Sequence, residues 1–392
     1  MSGDEALLGR AGEAARHFAV YGDFAGVEAH GTGHINRTFV FTMDQCGRPV
    51  RYLLQLLNTF AFREPVPLMD NIVRVTEHLR RRLAAEDVLA PPRHALSRRV
   101  LTVLPSRDGK PYHFDPEGGF WRCYLFIEGA GTTDLMDSPV KAFALAEAAG
   151  RFQYLLSDLP GPRLAETIPG FHDARRRYSA FERALAGDSA RRAGQVSPEI
   201  EFFKANREGF DRIVTAIESS TVPERICHND TKISNLLLDD ETGEAICVID
   251  LDTVMPGSSA YDFGDLARTA ASTTAEDDPD PRNMALSLPM YEALARGFAR
   301  GTRTAGEGSG SYLTPAEREL LPWGARILTM LMGIRFLTDH LEGDVYYHVT
   351  REGHNIDRSR TQIALIRSMD VNWKAMQAAT QAAFAVPGDV RG

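Results

Sequence analysis

A basic excess is missing from this chain. Its 392 residues carry 44 Lys and Arg against 53 Asp and Glu, a formal net charge of −9. With no overall positive field to pair with phosphates, nonspecific nucleic-acid binding is excluded and no nucleic-acid partner is expected. Cysteine is also scarce. The four residues, at 46, 123, 227 and 247, show no C-x-x-C spacing. A disulfide framework and a zinc site are thereby excluded, and the thiols read as reduced in a cytoplasmic setting. The opening MSGDEALLGR is acidic and lacks an apolar signal core. No run of eighteen apolar residues occurs, so no membrane partner is expected.

What is present is the composition of an ordinary globular protein, 43% hydrophobic and 25% charged. The length is too great for one compact core and implies two lobes. The chain is organised around residues 226–257, ICHNDTKISNLLLDDETGEAICVIDLDTVMPG. This stretch reads as strand, turn, strand, turn, strand, with polar residues at the turns. His228, Asp230, Lys232 and Asn235 fall in the first turn, and Asp250 and Asp252 follow the apolar run Ala245 to Ile249. The H-x-D-x-x-x-x-N string followed by an apolar strand ending in Asp is the layout of a kinase catalytic loop and its metal site. Phosphoryl transfer needs one Asp to orient the acceptor hydroxyl and take its proton. It also needs compact oxygens, here Asn235 and Asp250, for magnesium.

That string, with I-D-x-D and then YDFGDLA at 261–267, resembles the aminoglycoside phosphotransferase and choline kinase superfamily. With RFLTDHLEGDVYYHV near the C-terminus, the chain is most similar within it to the N-acetylhexosamine 1-kinases. The resemblance implies an α+β, two-lobed, protein-kinase-like fold. A small β-rich N-lobe (1–128) would bind nucleotide, and a large helical C-lobe (129–392) would carry catalysis and the acceptor. ATP and Mg2+ are the implied cofactors and a small sugar the implied partner. The sequence leaves the oligomeric state open.

Within the N-lobe, a strand running into Gly31-Thr32-Gly33-His34-Ile35-Asn36 and out again is the device that lays backbone N–H groups over ATP phosphates, with Gly31 and Gly33 permitting close approach. The next strand, VRYLLQLLN at 50–58, holds no lysine. Gln55 stands where the phosphate-pairing lysine is expected, a departure that leaves the cation of the phosphate site unassigned. FWRCYLFIEG (120–129) is the expected hinge strand, with Phe126 and Glu128 among the residues whose backbone pairs with adenine. A hairpin is expected over 100–114.

In the C-lobe, helices are expected at 139–158, 172–187 and 197–219, with the RRR at 175–177 on a solvated face. Asp262 or Asp265 in YDFGDLAR braces the catalytic loop in the resembled family. A capping box at Thr314 to Glu317 starts a long apolar helix, and a last helix is expected at 357–382. Arg335 lies inside the apolar run, where it either pairs with Asp339 at i+4 or contacts the sugar. The resemblance favours the sugar, with Tyr346 and His34 beside it. Two rivals stand. One is a kinase of another small alcohol (aminoglycoside, choline, homoserine or a different sugar), which the acidic loop 271–281 suits. The other is a nucleotide-binding pseudokinase, suggested by the missing lysine.

Overall fold

The computed structural model describes residues 3–31, 35–86, 95–133, 136–304 and 310–385. They fold as two units. The first gathers Met1–Ala130 with Leu159–Pro169 and Ile246–Val254, and the second gathers Gly131–Asp158, Gly170–Ala245 and Met255–Gly392.

The first unit is built on an antiparallel sheet of β1 (Asp23–Ala29), β2 (Arg37–Asp44), β3 (Pro49–Leu56), β4 (Val103–Leu104), β5 (His113–Phe114) and β6 (Phe120–Leu125), in the order β1-β2-β3-β6-β4 with β5 also on β6. The hairpin expected over 100–114 forms no ladder of its own. Val103 and Leu104 pair with Tyr124 and Cys123, while His113 and Phe114 pair with Trp121 and Phe120. A tight turn closes where the Ser106 N–H donates to the Lys110 carbonyl at 2.7 Å. It throws the two arms onto different stretches of β6.

Side chains alternate along these strands, so the sheet has two unlike faces. Phe39, Phe41, Tyr52, Leu54, Trp121 and Cys123 are buried against Ala11, Ala14 and Ala15 of helix α1 (Gly3–Ala15). The other face carries Thr38, Gln55 and Arg122, since Thr38 opposes Gln55 across β2 and β3 and Gln55 opposes Arg122 across β3 and β6. Helix α2 (Pro65–Glu86) buries Leu68, Met69, Ile72 and Val75. Its Asn71 amide donates to the Ala165 and Val254 carbonyls at 2.8 and 3.1 Å, fastening the unit's two later segments.

The second unit is mainly helical, with the helix Pro315–Glu342 at its core. Thr314 and Glu317 form the expected capping box at its start. Length and hydropathy alone would let this helix cross a membrane, but 78% of its apolar window is buried inside the protein. Helix Ser259–Ala270 crosses it with backbones touching: a Cβ at Gly324 would lie 1.9 Å from the Ala260 carbonyl oxygen, and one at Gly264 would lie 2.4 Å from that of Gly324. Only glycine permits this approach, and it fixes the height of the helix that supports the loop at 228–235. Two expected helices are broken. The 197–219 segment divides into Ser197–Ala205 and Arg212–Glu218, because Gly209 takes φ of 75° and the Asn206 amide caps the Phe202 carbonyl. The C-terminal one divides into His354–Val371 and Trp373–Phe384, with the Asn372 amide capping Ser368.

Candidate active site

In the second unit, strand Arg225–Cys227 pairs antiparallel with Met255–Gly257 and delivers His228, Asn229 and Asp230 at its end. Asn229 turns the chain in the left-handed region at φ of 63°, a conformation asparagine tolerates. Its side-chain amide donates to the Cys227 and Met255 carbonyls. A Cβ on Gly257 would meet the Asn229 Oδ1 at 2.6 Å, so the neighbouring strand must carry glycine there. Asp262, buried in the first turn of helix Ser259–Ala270, accepts from the His228 N–H at 2.9 Å, the Asn229 N–H at 2.7 Å and the Gln153 amide. The Thr231 hydroxyl donates to the Asp262 carbonyl at 2.6 Å. Asp262 is thus the residue that holds the loop. Asp265 pairs instead with Arg268.

So held, the loop presents Asp230 half-buried. Its Oδ2 accepts from the Asn235 amide at 2.9 Å and lies 3.1 Å from the Lys232 ammonium. The spacing between Asp230 and Asn235 works because the helical turn Ile233–Asn235 folds the chain back on itself. Burial pushes the Asp230 carboxyl up. The Lys232 charge, the His228 ring and the Asn235 amide outweigh it and hold the group below its ordinary value. Asp230 is therefore an anion at neutral pH, as a proton acceptor must be. The Asn235 nitrogen is engaged by Asp230, so its oxygen is the end suited to a cation.

Asp250 belongs to the first unit. It ends the run after strand Ala245–Val248 in the left-handed region at φ of 57°, with its side chain exposed. Two residues on, Asp252 is buried against Arg122, and its Oδ2 accepts from the Asn36 amide at 2.7 Å. The Arg122 Nε donates to the Gln55 Oε1 at 2.9 Å, and the Gln55 amide donates to the Thr38 hydroxyl at 3.1 Å. Gly31 has φ of 67° and open space where a Cβ would stand. Gly33 and His34 lie outside the described residues. On the hinge strand, the Leu125 and Phe126 N–H groups donate to the Thr102 and Arg51 carbonyls. The Phe126 ring lies under the Arg51 guanidinium at 4.2 Å, and Glu128 pairs with that same arginine. Among the described residues no group of three or more His, Cys, Asp or Glu is gathered for a metal. The Asn235 amide oxygen and the Asp250 carboxylate are each of the kind magnesium takes, an ion that keeps waters and phosphate oxygens and takes one or two oxygens from protein.

Arg335 and Tyr346 meet in the second unit. The Arg335 guanidinium lies 5.9 Å from the Tyr346 ring, 5.4 Å from Tyr347 and 5.6 Å from Phe171. The alternative pairing of Arg335 with Asp339 is not formed. Asp339 accepts instead from the N–H groups of Val345, Tyr346 and Tyr347 and from the Asn355 amide, which sets the loop bearing the tyrosines. The Tyr347 hydroxyl is buried with no hydrogen-bond partner among the described residues.

Three residues of this cluster escaped the sequence reading: Tyr347, His172 and Arg177. Arg177, expected on a solvated face, turns inward and donates to the Phe171 carbonyl. Burial, with the Arg335 charge adding to it, brings Arg177 down to about 10. His172 touches the Asn229 carbonyl through Nε2 at 2.8 Å, and burial pulls it down to about 3. The acidic loop 271–281 holds its carboxylates close: Glu276 pairs with Arg268, Asp277 with His354 and Asp280 with Arg282.

A family model described as the phosphotransferase enzyme family (APH) matches residues 26–296, well over half of the chain. Solved structures agree in fold. A microcompartment-associated aminopropanol kinase superposes with a TM-score of 0.54 at 15% identity, over 94% of this chain and 98% of its own. An aminoglycoside phosphotransferase from Alicyclobacillus acidocaldarius subsp. acidocaldarius DSM 446 gives 0.52 at 13% identity, over 95% and 94%. A choline kinase from Cryptosporidium parvum Iowa II gives 0.52 at 14% identity, over 97% and 100%. At such identities the likeness is one of fold: mixed α+β, with a small antiparallel sheet and a large helical part.

Proposed function

We propose, from the premise that this chain belongs to the APH phosphotransferase enzyme family, that it transfers the γ-phosphoryl group of ATP to the anomeric hydroxyl of an N-acetylhexosamine. The observation supporting this acceptor is Arg335, half-buried among Phe171, Tyr346 and Tyr347 with no carboxylate partner among the described residues. Aromatic faces suit the apolar face of a sugar ring, and a planar guanidinium suits its oxygens. An ammonium acceptor would face two positive charges, Arg335 and Arg177. In the acidic loop, Glu276 and Asp280 are already paired with Arg268 and Arg282.

In the reaction, Asp230 accepts the proton of the acceptor hydroxyl as the new O–P bond forms and the bond from the γ-phosphorus to the bridging oxygen breaks, releasing ADP. Asn235 orients Asp230 through its amide. Asn235 and Asp250 are the residues assigned to hold magnesium, which when bound would neutralise phosphate charge. Gly31 and Gly33 are assigned to the phosphates, and residues 125–128, Phe126 and Glu128 included, to the base. Arg335 and Tyr346 are assigned to the sugar, and the resemblance adds His34 to that assignment.

Incubation with Mg-ATP and N-acetylglucosamine or N-acetylgalactosamine tests the reading. The expected product has lost its reducing end and shows phosphorus coupled to the anomeric proton in NMR. Arg335→Lys should raise the KM for the sugar sharply and leave that for ATP little changed. A reducing product phosphorylated at C3 or C6 overturns the regiochemistry. Turnover of choline or an aminoglycoside with none of hexosamine overturns the acceptor.

A further inference from the structure

The missing lysine of β3 leaves a question that the register answers. By sequence, the first unit holds a single lysine, Lys110. It stands on an exposed turn beside Asp108, 3.4 Å away. The face of the sheet that bears Gln55 carries a different cation. Arg122 of β6 is the direct cross-strand partner of Gln55, 1% exposed, and reaches the Gln55 side chain through Nε. Its Nη1 pairs with Asp252, two residues after the exposed Asp250. The other oxygen of Asp252 takes the Asn36 amide, which follows the glycine turn, and the Asn36 Oδ1 accepts from the Asn58 N–H at 3.0 Å. One guanidinium thus ties together the lysine position, the end of the glycine turn and the turn bearing Asp250.

We propose that the cation of the phosphate site has moved one strand over: Arg122, paired with Asp252, stands in for the absent lysine as a positioning residue that sets Gln55 and the Asp250 turn for nucleotide. Arg122 is too enclosed to reach a phosphate. It acts through the charge it adds and the groups it holds. Burial opposes that charge, yet Asp252 and Asp250 are near enough to keep the guanidinium above its ordinary pKa. A lysine on β3 points into the same layer as Arg122, because opposed residues of an antiparallel pair share a face. The inference rests on the proposed phosphotransfer for its nucleotide and concerns residues of the first unit only.

Titration calorimetry with Mg-ADP, alongside steady-state kinetics, tests it. Arg122→Met should weaken Mg-ADP binding and raise the KM for ATP by about tenfold or more, through the lost charge and the released Gln55 and Asp250 turn, and leave the acceptor KM within about twofold. Adding Gln55→Lys to that variant puts a cation back on the opposing position and should recover most of the loss. If Arg122→Met fails to fold because Asp252 is left buried and unpaired, Arg122→Met with Asp252→Asn removes both charges and is read the same way, with and without Gln55→Lys. Wild-type Mg-ADP affinity in a folded variant lacking Arg122 overturns the inference alone, as does a Gln55→Lys addition that recovers nothing. A wild-type chain that binds no Mg-ADP overturns the phosphotransfer reading and this inference together.

Discussion

Replacing Asp262 with alanine is the sharpest test of how the catalytic loop is built. The buried carboxylate accepts from two backbone N–H groups, those of His228 and Asn229, and from the Gln153 amide. Alanine strands both N–H groups in a site where His228 is fully buried and Asn229 is 3% exposed. Each stranded buried donor costs about 1–3 kcal/mol, so the two together cost about 2–6 kcal/mol. Burial pushes the Asp262 carboxyl above its ordinary pKa, so removing the acid also relieves part of its own desolvation. That places the net loss toward the lower half of the range. Against a total stability of about 5–15 kcal/mol this is large. Asp262→Asn keeps one acceptor oxygen and should lose less. Native-state hydrogen exchange at the His228 and Asn229 amides reads the effect locally. Exchange should quicken about 30-fold or more in Asp262→Ala, the equivalent of about 2 kcal/mol. In Asp262→Asn one of the two amides should stay protected. An unfolding free energy from urea titration lowered by less than about 1 kcal/mol in Asp262→Ala, with both amides exchanging as in wild type, would refute the bracing role.

Two further expectations concern single groups. Asp230→Asn should cut kcat by about 10²–10⁴-fold with nucleotide affinity unchanged, since it removes a proton acceptor and leaves the phosphate contacts in place; near-normal turnover would remove Asp230 from the role of base. His172 is pulled down to about 3 by burial, with Arg335 and Arg177 adding to the shift. The unfolded chain takes up a proton near 6.5 that the folded chain refuses, so its contribution to stability is whole above that pH and lost as pH falls toward 3. The C2–H resonance of His172 should keep its neutral position at pH 5, and His172→Gln should flatten the acid side of the Tm profile. A resonance titrating near 6.5 would contradict the burial argument.

Much of the loop was legible because its chemistry is local. Asp230 and Asn235 are five residues apart, and a single helical turn brings the amide back to the carboxylate. The capping box at Thr314 is local in the same sense. The departure at Gln55 was also plain, since a strand either holds a lysine or does not. Its compensation was hidden because it depends on register. Arg122 lies 67 residues from Gln55 and 130 from Asp252, and only the pairing of β3 with β6 places the three together. The faint signal was a lone arginine inside the apolar FWRCYLF, a buried charge that demands a partner.

Arg177 illustrates a different failure, one the sequence had the means to avoid. Reading RRR at 175–177 as a charge run treats three neighbours alike, yet a helix turns about 100° per residue and gives each a different surrounding. The buried positions of helix Ala174–Gly187 are Ala174, Tyr178, Phe181 and Ala184. Arg177 stands at i+3 from Ala174 and one residue before Tyr178, on the inner stripe, while Arg175 and Arg176 fall outside it. Arg175 accordingly pairs with Asp211 and Glu218 at the surface and Arg176 with Asp173, whereas Arg177 faces the Phe171 carbonyl and shares its surroundings with Arg335. Both arginines touch Phe171, Arg177 at its carbonyl and Arg335 at its ring, and the positive charge of Arg335 adds to burial in lowering Arg177.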